Sequence, residues 1–110
     1  MATDGLAALA ERFEAASQAY AASAEITRDD DWFVLKLQEE LGELTQAWVK
    51  TTGRGRTHGL DAVELRAQLA DETADLLGHV LLFAHRNGVN LPSAIERKWR
   101  FHPEAFDGPS

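Results

Sequence analysis

Along residues 4–23 apolar positions recur at helical spacing. Leu6, Leu9, Phe13 and Tyr20 mark one side of an Ala-rich stretch whose expected N-cap is Asp4. The period fades between Ser23 and Thr27. It returns after Asp29, Asp30 and Asp31, whose charges suit the first turn of a second helix running from about Asp31 to Thr51. TTGRGRTHGL, with its three glycines, breaks the pattern and predicts a loop. Asp61 and Glu64 then form a capping-box variant that opens a third helix, continuing to about Arg86 and stopped by Asn87-Gly88. Asn90 caps a short fourth helix through Ile95 and Trp99, with Pro92 tolerated in its first turn. The tail from Phe101 has no period and is expected to be irregular. No segment alternates apolar and polar residues long enough to predict a strand. The expected fold is all-α: a four-helix bundle in one domain spanning residues 1–110, with its motif-bearing core at 31–100.

The polar positions carry a second message. LQEELGEL at 37–44 and LADETADL at 69–76 are the same pattern written twice, 32 positions apart, with acids at the third, fourth and seventh places. At about 100° per residue, the stripe of the second helix is read as Leu37, Leu41, Leu44 and Trp48, with Glu40 at its edge and Glu43 beside Glu40. The stripe of the third helix is read as Leu65, Leu69, Leu76, Val80 and Phe83. Glu72 falls inside it, Asp75 lies next to Glu72, and His79 returns to the same side. Glu39 and Asp71 point outward. Each helix thus aims one i,i+3 carboxylate pair at the space between them, and antiparallel packing would bring four carboxylates together. Such charges in a partly buried seam are costly: either some take up protons or a multivalent cation holds them. An all-oxygen set suits Mg²⁺ or Mn²⁺. An EExxE string alone is weak evidence, because glutamates are common on solvated helix faces. An acid inside a leucine-rich stripe, repeated in the same phase on a second helix, is what a solvated face does not explain.

Composition narrows the partners. A chain of 110 residues with a formal charge of −7 lacks the basic face of a nucleic-acid binder. A small phosphorylated ligand stays open, because a bound cation reverses the local sign. There are no cysteines, which removes disulfides, thiolate zinc sites and thiol nucleophiles. MATDGLAALAERF has neither the basic region nor the long apolar stretch of a signal peptide. LLGHVLLFA is too short to span a bilayer. No membrane association is expected, and the expected location is the cytoplasm. A core this small is expected to be completed by a partner subunit.

KLQEELGELTQAW, LADETADLLGHVLL and NLPSAIERKW together resemble the MazG-like all-α nucleotide pyrophosphohydrolases, a group related to the dimeric dUTPases and the dCTP pyrophosphatases. The resemblance covers residues 36–98. It implies Mg²⁺-dependent cleavage of a nucleoside triphosphate to its monophosphate and pyrophosphate, usually in nucleotide-pool housecleaning, by a homodimer or homotetramer. Carried over, it makes Glu40, Glu43, Glu72 and Asp75 metal ligands, the four that helix phasing selects on its own. Glu39 matches the first acid of the motif, with a role in orienting or deprotonating the attacking water. Lys98 matches a lysine near the substrate phosphates. Some relatives follow that lysine with an Asn, which is absent from KWRFHP here.

Among the supporting residues, Lys36 lies one turn before Glu40, within reach of either the site or a simple ion pair. His79 is a candidate for metal or base contact, or an ordinary core histidine. Trp32 is a candidate for stacking on a nucleobase, whereas Trp48 is read as core. The RGR loop is either a phosphate-closing segment or merely solvated. Two other classes stay open: a non-catalytic helical interaction protein, and a di-iron or di-manganese carboxylate bundle. The second lacks its usual Glu-x-x-His, since the residues three after Glu40 and Glu72 are Glu43 and Asp75.

Overall fold

The computed structural model describes residues 5–103. Four helices follow in order: α1 (Gly5–Ala24), α2 (Asp30–Thr51), α3 (Ala62–Arg86) and α4 (Leu91–Trp99). The described residues contain no strand, so the all-α expectation holds. The expected cap at Asp4 and the tail beyond Pro103 lie outside the described residues.

Local chemistry sets the helix ends. Asp29, in an extended conformation, caps α2 by accepting from the Trp32 backbone N–H at 2.8 Å, and Asp30 and Asp31 fill the first turn. At α3 the capping box is reciprocal: Glu64 N–H donates to Asp61 Oδ1 at 2.8 Å, and Asp61 N–H donates to Glu64 Oε1 at 3.0 Å. Asn90 caps α4 by accepting from the Ser93 N–H at 3.1 Å. Helix α1 closes where Glu25 turns left-handed, at φ 57°, and the Ile26 N–H reaches back to the Ala21 carbonyl at 2.9 Å. In the loop between α2 and α3, Gly53 and Gly59 take φ of +80° and +82°, a region that favours glycine, and His58 beside Gly59 is also left-handed at φ 54°.

The chain forms two compact units. One comprises residues 28–80, which hold α2 and most of α3; the other comprises the described residues up to 27 and from 81 onward. In the first unit the buried apolar side chains are Phe33, Ala47 and Leu65. Among the described residues of the second they include Ala10, Ala21, Leu81, Leu82, Ala84 and Pro92.

The stripe expected on α2 is rotated in the structure. Leu41 and Trp48 are 52% and 49% exposed, whereas Phe33, Glu40 and Ala47 are the buried positions. The apolar arc of this helix is wider than the face it buries, and a small residue and an acid occupy the centre of that face. Glu40 is therefore not at the edge of the stripe but in its middle. On α3, Leu65 is buried as expected, while Val80 is 38% exposed. No helix among the described residues is long and apolar enough to cross a membrane.

Candidate functional site

All the acids of the two octets belong to the unit made by residues 28–80. Glu40 lies on the middle turns of α2, and Glu72 and Asp75 on the middle turns of α3. One carboxylate oxygen from each of the three falls within 4.8 Å of the other two. Glu39, Glu40 and Glu43 form a second group by the same measure, so Glu40 belongs to both. Glu43 faces Glu72 across the two helices, near enough for its charge to act on the Glu72 carboxyl. The four acids chosen by helix phase are thus brought together.

Burial within the group is graded. Glu40 is 6% exposed, the one buried charged residue among the described residues. Glu43 and Glu72 are half-buried, while Glu39 and Asp75 are exposed on the flanks. Burial, followed by the charges of Glu43, Asp75 and Glu40, raises the Glu72 carboxyl above the ordinary glutamate range. Glu72 Oε1 is buried and has no hydrogen-bond partner.

Lys36 provides the local countercharge. Its Nζ stands 3.1 Å from Glu39 Oε1 and 3.4 Å from Glu40 Oε2. Burial pulls its pKa down, but hydrogen bonds and charge from Glu39 and Glu40 outweigh this and raise it, so the side chain remains an ammonium. The i,i+4 pair anticipated with Glu40 is present, together with an i,i+3 pair to Glu39.

Beside this cluster is an aromatic corner. The Trp32 ring meets Phe33 edge-on at 5.0 Å and His79 at 5.9 Å between centroids, with Lys36 Nζ 6.0 Å from its centre. Arg28 lies over both Trp32 and Phe33, at 5.9 and 5.1 Å. His79 is half-buried, and burial lowers its pKa, opposed by Glu40 and reinforced by Lys36. Its Nδ1 is buried and unpartnered.

Lys98 stands exposed in the last turn of α4, which belongs to the other unit. The structure therefore gathers Lys36, Trp32, His79 and the acids within one unit, and leaves Lys98 outside it. Sequence reasoning passed over Gln68 and Thr51. Each has a buried side-chain oxygen without a partner, Oε1 and Oγ1 respectively. The signal for Gln68 was its spacing: it precedes Glu72 by four residues, as Lys36 precedes Glu40.

The donor set suits a hard divalent cation. It offers only carboxylate oxygens, one of them buried and unpaired, and their mutual repulsion is what such an ion relieves. Among known proteins, a family model described as phosphoribosyl-ATP pyrophosphohydrolase matches residues 6–98. No curated protein and no solved structure matches the chain. The matched span takes in both acidic octets and nearly all of the four helices, and on that extent the chain belongs to the phosphoribosyl-ATP pyrophosphohydrolase family, an all-α, MazG-like group of nucleotide pyrophosphohydrolases.

Proposed function

We propose that the protein hydrolyses a nucleoside triphosphate at its α–β phosphoanhydride, releasing pyrophosphate and a nucleoside monophosphate in a Mg²⁺-dependent reaction that Mn²⁺ also supports. The observation that carries this reading is the convergence of Glu40, Glu72 and Asp75 from two helices to within 4.8 Å, with Glu40 buried. Four solvated surface acids would splay apart rather than converge on a buried position. Phosphoribosyl-ATP, named in the family's description, is itself a nucleoside triphosphate and belongs to the proposed substrate class.

Glu40, Glu43, Glu72 and Asp75 would hold the cation. The chemistry a bound Mg²⁺ supplies is neutralisation and alignment of the polyphosphate oxygens. Glu39, exposed beside Glu40, orients the attacking water and takes its proton. The water oxygen bonds to phosphorus on one side of the bridge, and the bridging oxygen leaves with the other fragment. Lys36 fixes Glu39 and Glu40 in one arrangement and keeps a positive charge at the edge of the site. Trp32 offers a flat apolar face to the base, with His79 beside it.

We infer also that the protein is a homo-oligomer. Val63, Ala67, Ala70, Ala74 and Leu77 recur along α3 at alternating four- and three-residue spacing, opposite the face that carries Glu72. All five are exposed. The same row on a second copy is a self-complementary occupant for it.

The test is a panel of ribo- and deoxyribonucleoside triphosphates with phosphoribosyl-ATP, assayed with and without Mg²⁺. Pyrophosphate and orthophosphate are measured separately. Mg²⁺-dependent pyrophosphate release from at least one member is expected. Orthophosphate as the first product, or no turnover of any member, would reject the reading.

A further inference from the structure

The acidic octets are two copies of one arrangement, and their difference is informative. Counting back four residues from the central acid of each copy gives Lys36 on α2 and Gln68 on α3. Both positions lie on the same helix side as that acid. Lys36 uses its place to bind Glu40 Oε2 at 3.4 Å. Gln68 occupies the equivalent place beside Glu72, is half-buried, and its Oε1 is sealed from solvent with no hydrogen-bond partner.

Nothing on the facing helix satisfies it. Trp32 lies against His79, and Glu40 against Glu72 and Asp75, so α2 and α3 run antiparallel with Glu43 close to the level of Glu72. One turn further along each helix of this antiparallel pair brings Ala47 level with Gln68. Ala47 is 2% exposed, and its methyl group offers no donor. A buried amide oxygen without a donor costs stability, so such groups are rare unless something outside the protein completes them. Glu72 Oε1, one helical turn along the same side, is likewise buried and unpaired.

We propose that Gln68 is a positioning residue of the carboxylate centre, its carboxamide oxygen accepting a hydrogen bond from a water in the shell of the cation that Glu72 holds. This inference rests on the metal-site reading above and deepens it. The two octets then divide the work. Lys36 restrains Glu40 through charge on the α2 side. Gln68, being neutral, fixes the hydration of the ion on the α3 side without adding a second cation that would compete with it. Partners of this kind, which hold the ligands or their waters without touching the metal, tune affinity strongly.

The test is Mn²⁺ titration of the apoprotein by calorimetry, for the wild type, Gln68→Met and Gln68→Glu, with the melting temperature of each apoprotein. Met keeps the length and removes the acceptor. Its Mn²⁺ affinity is expected to fall roughly tenfold or more, while the apoprotein melts at the wild-type temperature or above it, because an unpaired buried oxygen has gone. A packing role alone does not move these two readouts in opposite directions. Glu keeps the acceptor, and Gln68→Glu is expected to bind Mn²⁺ at least as tightly as the wild type. Wild-type Mn²⁺ affinity in Gln68→Met overturns the inference. So does weakened binding in Gln68→Glu, which would mean that the amide donates to Glu72 instead. A wild-type protein that binds no Mn²⁺ at all brings down the metal-site reading itself, and this inference with it.

Discussion

Glu72 is held in a folded environment that favours its protonated form, through burial first and then the charges of Glu43, Asp75 and Glu40. The sign of the consequence follows from proton linkage. From the ordinary glutamate value of 4.5 up to its raised value in the fold, the native apoprotein binds a proton that the unfolded chain has released. Over that window stability falls as pH rises. Below the window both states are protonated, and the difference disappears. A cation inverts the preference, since it needs the carboxylate and expels the proton. The melting temperature of the apoprotein should therefore decline from about pH 4.5 upward more steeply in the wild type than in Glu72→Gln. The stabilisation given by Mg²⁺ should grow over the same range. Scanning calorimetry of both proteins across pH checks this, and parallel curves would count against it. Glu40 and Asp75 test the same centre through turnover. Glu40→Gln and Asp75→Asn keep shape and remove charge, so each should lose roughly 10²-fold or more in Mg²⁺-dependent pyrophosphate release. The helical circular dichroism should be unchanged.

At the scale of the helices, short-range chemistry does most of the setting. Asp61 and Glu64 satisfy two backbone donors reciprocally at the start of α3, the helix that carries Glu72 and Asp75. Asp61→Ala removes the acceptor of the Glu64 N–H, while the backbone N–H of residue 61 can still donate to Glu64 Oε1. The expected cost is about 1 kcal/mol, read as a shift in the urea midpoint with little change in slope. Activity well below the midpoint should persist, because Glu72 and Asp75 lie more than two turns inside the helix. An unshifted midpoint would mean that the α3 end frays regardless of its cap. The same locality explains what was legible. Asp29, Asp61 and Asn90 act on atoms three residues away, so the sequence alone marks the starts of α2, α3 and α4. The acid phase was legible too, since each octet sets its acids at the same places relative to its own leucines. The centre of the buried face on α2 was not. Hydrophobicity weighted Leu41 and Trp48, whereas the packed face centres on Phe33, Ala47 and Glu40, and an alanine or an acid announces burial only through its neighbours. Gln68 escaped notice for a related reason. A neutral amide is conspicuous only once its oxygen is seen to lack a partner.

For the whole molecule the question is what covers the apolar surface that a chain of 110 residues leaves outside. Scattered exposed leucines need no explanation, but a continuous row does. On α3 the row runs Val63, Ala67, Ala70, Ala74, Leu77, with Val63 78% and Leu77 48% exposed. Small residues through the middle of the row allow close approach of a second helix, and the larger ones at its ends give it register. Glu72 lies on the other side of the same helix, so pairing of two copies along this row leaves each acidic cluster facing away from the interface. With a formal charge of −7 on each chain, like charges oppose association, and an apolar contact has to overcome them. Added salt should therefore tighten the assembly rather than loosen it. Val63→Glu and Leu77→Glu, singly and together, place charge on the row without touching the acids of the site. The wild type is expected to sediment as an oligomer and the double variant as a monomer, with cation binding per chain retained. A wild type that sediments as a monomer across concentration and salt would leave this row without an occupant. A double variant with wild-type mass would move the interface elsewhere, to the exposed edge of α2 marked by Val34, Leu41 and Trp48.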